Sequence, residues 1–91
     1  MINGDVKEFV DSIHYGDELI FVYNDEKFFL QGLFLKGKHN LYLTKWEPQP
    51  NNFYMEFIGD DKYPVEDFLN VKLWDGRKFW EAESEMEWVD A

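Results

Sequence analysis

Residues 18–47 read ELIFVYNDEKFFLQGLFLKGKHNLYLTKWE, and the fold class turns on how this stretch is divided. Apolar runs rich in β-branched and aromatic residues occupy 18–24, 27–37 and 39–47. Asn24-Asp25 interrupts the first pair of runs and Gly37-Lys38 the second, the pattern of strands joined by tight turns. The third run alternates cleanly. A strand sends successive side chains to opposite faces, which puts Leu41, Leu43 and Lys45 on one face and Tyr42, Thr44 and Trp46 on the other. Pro48 and Pro50 in EPQPNN (47–52) lack ladder donors and mark a loop, after which FYMEFIG (53–59) reads as a fourth strand. No connection is long enough for a crossover, so the expected sheet is a four-stranded antiparallel meander.

Working outward, NGDVKEFVDSIHYG (3–16) places Val6, Phe9, Val10 and Ile13 at helical i, i+3, i+4, i+7 spacing. Asp5 with Glu8, or Asn3, can cap this helix, and Gly16 can end it in the left-handed conformation. Beyond Asp60 the period changes again. Pro64 suits a first helical turn, and Val65, Phe68 and Leu69 then face one way. WDGRKFWEAESEMEW (74–88) supports two readings, a hairpin about Asp75-Gly76 or a helix after Gly76. The expectation is a short helix from about Arg77 to Glu83, then an extended end with Met86 and Trp88 pointing inward. The whole reads as one α+β domain over 1–91: an N-terminal helix, the meander, and one or two short C-terminal helices.

Composition narrows the function. The 91 residues carry 19 acidic side chains against 9 basic ones, a formal charge of −10. Such a field repels phosphate backbones and anionic lipid surfaces and attracts a basic partner, so neither nucleic acid nor membrane is expected. Without cysteine there is no disulfide, thiolate metal site or cysteine nucleophile. MINGDVKEF shows no basic region followed by an apolar run, and no stretch approaches membrane-spanning length, so a cytoplasmic protein is expected.

The order of short amphipathic helix, HYGDELIFVY (14–23), aromatic hairpin and KLWDGRKFWEAESEMEW (72–88) resembles small, acidic, single-domain bacterial proteins that are uncharacterised. The resemblance rests on Gly-x-Glu-hydrophobic-x-Tyr near the start and Asp-Gly-Lys/Arg-x-hydrophobic-x-Glu near the end, and it covers most of the chain. It implies the C-terminal helix and transfers no activity.

No catalytic, cofactor or metal residue is expected. Ser12, Ser84 and Thr44 are the hydroxyls and His14 and His39 the only histidines, and Ser12 and His14 lie on nearly opposed helix faces. Two histidines 25 positions apart do not make a transition-metal site, the Asp/Asn turns are too short for a calcium loop, and no glycine-rich phosphate cradle occurs. Paired carboxylates for glycosidase-like chemistry, and an aromatic face for carbohydrate, are the distant alternatives. The leading expectation is a non-enzymatic protein-interaction module, inhibitor- or immunity-like, and the second is a homodimeric accessory protein. Glu81, Glu83, Glu85 and Glu87 recur at every second position and are the candidate contacts for a basic partner. Leu19–Tyr23 and Leu33–Leu35 are apolar at successive positions, so both sheet faces carry apolar groups. Phe29, Phe34, Tyr42 and Trp46 are expected to leave an exposed patch that a partner or second copy covers.

Overall fold

A computed structural model describes residues 1–47 and 54–89. Helix α1 (Val6–His14) is followed by β1 (Leu19–Tyr23), β2 (Glu26–Leu35), β3 (Lys38–Glu47), β4 (Tyr54–Gly59), α2 (Val65–Asn70) and α3 (Phe79–Ala82). A 3-10 turn, Glu83–Glu85, then leads into β5 (Glu87–Val89). The expected proline loop, beyond Glu47, lies outside the described residues.

The sheet is antiparallel in the order β4-β3-β2-β1-β5. The four expected strands pair consecutively, and the extended C-terminal end contributes a fifth that the sequence reading left unpaired. β5 adds to β1, with Phe21 opposite Trp88. Ile2 closes the far side of β5: its N–H donates to the Met86 carbonyl and its carbonyl accepts from the Trp88 N–H.

Both tight turns in the opening stretch are two-residue turns with positive φ at each central position, the type I′ geometry whose twist matches a strand pair. Asn24 and Asp25 supply one. The other falls on Lys36 and Gly37, one residue before the expected Gly37-Lys38. The ambiguous WDGR resolves into both readings at reduced scale. Asp75 and Gly76 make a third such turn, closed by reciprocal backbone hydrogen bonds between Trp74 and Arg77. The hairpin stops after that single pair, because Lys78 caps α3, which begins at Phe79 rather than Arg77.

All three helices lie on one face of the sheet. Asp5, not Asn3, is the cap of α1, its carboxylate accepting from the Lys7 N–H. At the other end Gly16 (φ +75°) donates to the Ile13 carbonyl and Asp17 to that of Ser12, a Schellman closure. Alternation along the strands sends Leu19, Phe21, Tyr23, Phe28, Leu30, Leu41 and Leu43 toward the helices, where they meet Phe9, Ile13, Val65, Phe68, Leu69, Phe79, Ala82 and Met86. Trp74 sits at the centre, with edge contacts to Phe21, Tyr23, Phe28 and Phe68. Seven of the 18 Phe, Tyr and Trp residues of the sequence thus belong to the buried core of the described residues. Rings this size bury large areas and gain from edge-to-face geometry, which gives a short chain a substantial interior.

Candidate interaction surface

The opposite face of the sheet carries no helix. Reading across the strands, its rows are Val89–Ile20–Phe29–Thr44, Glu87–Val22–Lys27, Gln31–Tyr42–Glu56, Leu33–Asn40–Ile58 and Leu35–Lys38. Trp46 lies over Phe29, ring centroids 4.7 Å apart. Leu33, Leu35, Trp46 and Ile58 are 38%, 46%, 40% and 56% exposed, so the apolar groups of this face remain in contact with solvent.

Three of the four expected patch residues, Phe29, Tyr42 and Trp46, share this face. Phe34 does not. It lies five residues from Phe29 in one unbroken strand, so it points to the helix side, where its ring meets His39 at 4.8 Å. His39 is half-buried between Phe34 and Tyr63, with Nδ1 3.2 Å from the Asp60 carbonyl.

Asn40 was not singled out by sequence reasoning. It is buried on the open face between Leu33 and Ile58, and its amide nitrogen donates to the Tyr42 hydroxyl and to Glu56 Oε2, each at 3.1 Å. Its Oδ1 is buried without a partner among the described residues. A buried acceptor left unsatisfied costs roughly 1–3 kcal/mol. Leu35, Lys36, Lys38, Ile58 and the same polar trio line a shallow depression of about 340 Å³. The available signal was Asn itself, a poor strand former near the start of the alternating run HNLYLTKWE.

The period-two glutamates do not form one extended row. Glu81 is helical, Glu83 and Glu85 lie in the 3-10 turn, and only Glu87 is in a strand. Met86, expected to face inward, is buried and Trp88 packs on Phe9; Ala82 is buried as well, while Ser84 is exposed. Each glutamate already has an internal partner. Glu81 accepts from the Lys78 backbone N–H, Glu83 from the Met1 amino group at 2.7 Å, Glu85 from Arg77 at 2.8 Å and Glu87 from Asn3 at 2.5 Å. Arg77 also donates to the Tyr23 hydroxyl at 2.9 Å, which itself donates to Asp75 at 2.7 Å. Asp75, acting as acceptor, and burial push the Tyr23 phenol above its ordinary pKa, and Glu85 and Tyr23 raise that of Arg77 further. At the other end of the molecule the Lys38 ammonium holds the Asp60 carboxyl below the usual range.

Among the described residues no three His, Asp or Glu side chains converge as a metal site, and no helix is long and apolar enough to cross a membrane. Compared with known proteins, the chain matches no family model, no curated protein and no solved structure.

Proposed function

We propose that this chain is a non-enzymatic protein-interaction module of the inhibitor or immunity kind, and that it receives its partner on the helix-free face of the sheet. The observation that carries the reading is the exposure of Leu33, Leu35, Trp46 and Ile58 together on that face. Patches of this kind on small proteins mark contact surfaces. Around the depression Asn40, Tyr42 and Glu56 supply polar groups that orient a partner. The unpartnered Asn40 acceptor favours a partner that brings an N–H donor to this depression.

Charge refines the partner. Residues 27–46 hold four of the nine basic side chains and none of the 19 acidic ones. The expected docking of a basic partner on Glu81, Glu83, Glu85 and Glu87 would have to compete with four internal contacts, and the apolar face has no such cost. The complementary surface is accordingly apolar with a rim of no strong net charge.

A photo-reactive amino acid at Ile58 tests this in the native cell, with Glu66 on the exposed side of α2 as control. A discrete crosslinked protein from position 58, absent from position 66 and lost when Trp46 is replaced by Ser, supports the proposal. Crosslinks arising only from positions 81 and 85 would place the contact on the glutamates instead.

A further inference from the structure

We infer that the distal half of β2, residues 33–35, is the edge on which a second copy of this chain adds to the sheet in antiparallel, two-fold fashion. The argument starts from register. β1 covers β2 only from Glu26 to Leu30, whereas β3 runs beside it to Leu35. Odd-numbered β2 residues lie on hydrogen-bonding pairs with β3, because Leu35 and Lys38 flank a two-residue turn. Even-numbered ones therefore direct their backbone groups to the β1 side, as the Gly32 N–H does in donating to the Gly16 carbonyl at 3.2 Å. Beyond Gly32 the β1 side is open. The Phe34 N–H and C=O face outward with no partner among the described residues.

This edge lacks the usual protection. Residues 31–35 contain no proline and no charge, and the bulge between β2 and β3, whose extra residue is on β3, lies at the far end beside Lys27 and Phe28. The side chains on it are Leu33, Phe34 and Leu35, with Phe34 61% exposed. Of the other sheet edges, β5 is shielded by Ile2. β4 carries Glu56, with Asp60 and Asp61 just beyond it, so a second copy there would set like charge against like.

The occupant follows from the order of charges along the β2 edge. Its tip carries Lys36, exposed and in no ion pair among the described residues. Its root carries Asp17 and Glu18, exposed immediately after Gly16, which is bonded to Gly32. Antiparallel pairing centred on Phe34 sets Leu33 against Leu35 of the other copy, and the open stretch ends where its Lys36 comes level with Gly32, whose outward N–H Gly16 already holds. Each Lys36 then arrives beside Asp17 and Glu18 of its neighbour. An acidic strand from another protein would meet those same two carboxylates, and a parallel copy would set Lys36 against Lys36. Only the antiparallel second copy matches sign at both ends. Both phenylalanines then project on the helix side and four leucines join on the open face, which runs on from one copy into the other. The dimer thus extends the surface proposed above without depending on it.

Sedimentation equilibrium on the full chain tests this. A contact this short is at the small end of specific interfaces, so monomer should give way to dimer on the order of 10 μM to 1 mM. Phe34→Pro removes an outward N–H, a change that sheet edges tolerate, together with a largely exposed ring. It should retain the circular dichroism of the parent and weaken dimerisation at least about tenfold. Lys36→Glu should weaken it, and Lys36→Glu combined with Asp17→Lys and Glu18→Lys should restore it. Amide exchange at Phe34 in the unmodified chain gives a readout independent of any variant, with protection rising with protein concentration. A monomer at 1 mM, exchange at Phe34 that ignores concentration, or a dimer indifferent to the charge swap would each overturn the inference. Failure of the Ile58 crosslink with dimerisation intact would sink the docking face alone.

Discussion

Lys36 occupies the left-handed region at φ 52°, in a turn whose first central position ordinarily goes to Asn, Asp or Gly. The other two turns obey that preference with Asn24 and Asp75. Any Cβ there crowds the carbonyl, and Asn is better tolerated than Lys because its short polar side chain can bond locally. Lys36→Asn should therefore raise stability by up to about 1 kcal/mol, measured by urea denaturation, while weakening the dimer. Tyr23 gives a pH signature. Its phenol is held protonated in the fold by Asp75 and by burial, so its folded pKa lies above the unfolded value of 10.0. That contribution is complete below pH 10 and is lost as pH rises through the folded pKa, because the unfolded chain gains stability by ionising first. The urea midpoint should fall above about pH 10, and Tyr23→Phe should flatten the fall. Equal slopes in the two proteins would show that Tyr23 does not set it.

At the scale of elements, α1 is seated on β2 through two glycines. A Cβ on Gly32 would stand 2.5 Å from the Gly16 Cα and 2.8 Å from the Tyr63 ring. Backbone so placed cannot give way as a flexible side-chain tip can. Gly32→Ala should cost roughly 1–3 kcal/mol and lift the C-terminal turn of α1, seen as faster amide exchange at Gly32 and Asp17. Unchanged exchange at those amides would mean the seat tolerates a methyl group. The C-terminal elements illustrate a local signal that is real but overruled. Asp75-Gly76 does build its turn, yet only Trp74 and Arg77 pair. Trp74 is drawn into the core, and Glu81 reaches back to the Lys78 N–H and starts a helix. Glu85→Gln should lower the urea midpoint only slightly, and less at high salt, because it parts Arg77 from a partner that is itself exposed.

For the molecule as a whole, 19 acidic residues repel one another more than the few surface ion pairs compensate, since exposed pairs contribute little. Moderate sodium chloride should therefore raise the urea midpoint by screening that repulsion. A fall would mean that the internal pairs outweigh the net charge. The core that resists the repulsion depends on Trp74, which touches four rings and has Nε1 buried without an acceptor among the described residues. Trp74→Ala should cost about 3–5 kcal/mol, a large part of the stability of a chain this size.

The sequence by itself determined the parts that depend on period and turn chemistry. It dictated α1 and its Gly16 end, the meander of β1 to β4, the inward side of α2 and the antiparallel sense of the sheet. All of these follow from side chains within a few residues of one another. Parity alone also separated Phe34 from Phe29, although the shared patch expected of them ignored it. Only the tertiary structure decided that the C-terminal end joins β1 as a fifth strand. That pairing brings Trp88 to Phe21 across 67 positions, and no local pattern encodes such a partner. The same holds for the glutamates, whose regular spacing says nothing of Arg77, Asn3 or the Lys78 N–H waiting for them in space. The open face and the uncovered β2 edge are likewise products of packing. They exist because three short helices cover one side of the sheet and because β1 is five residues long where β2 is ten.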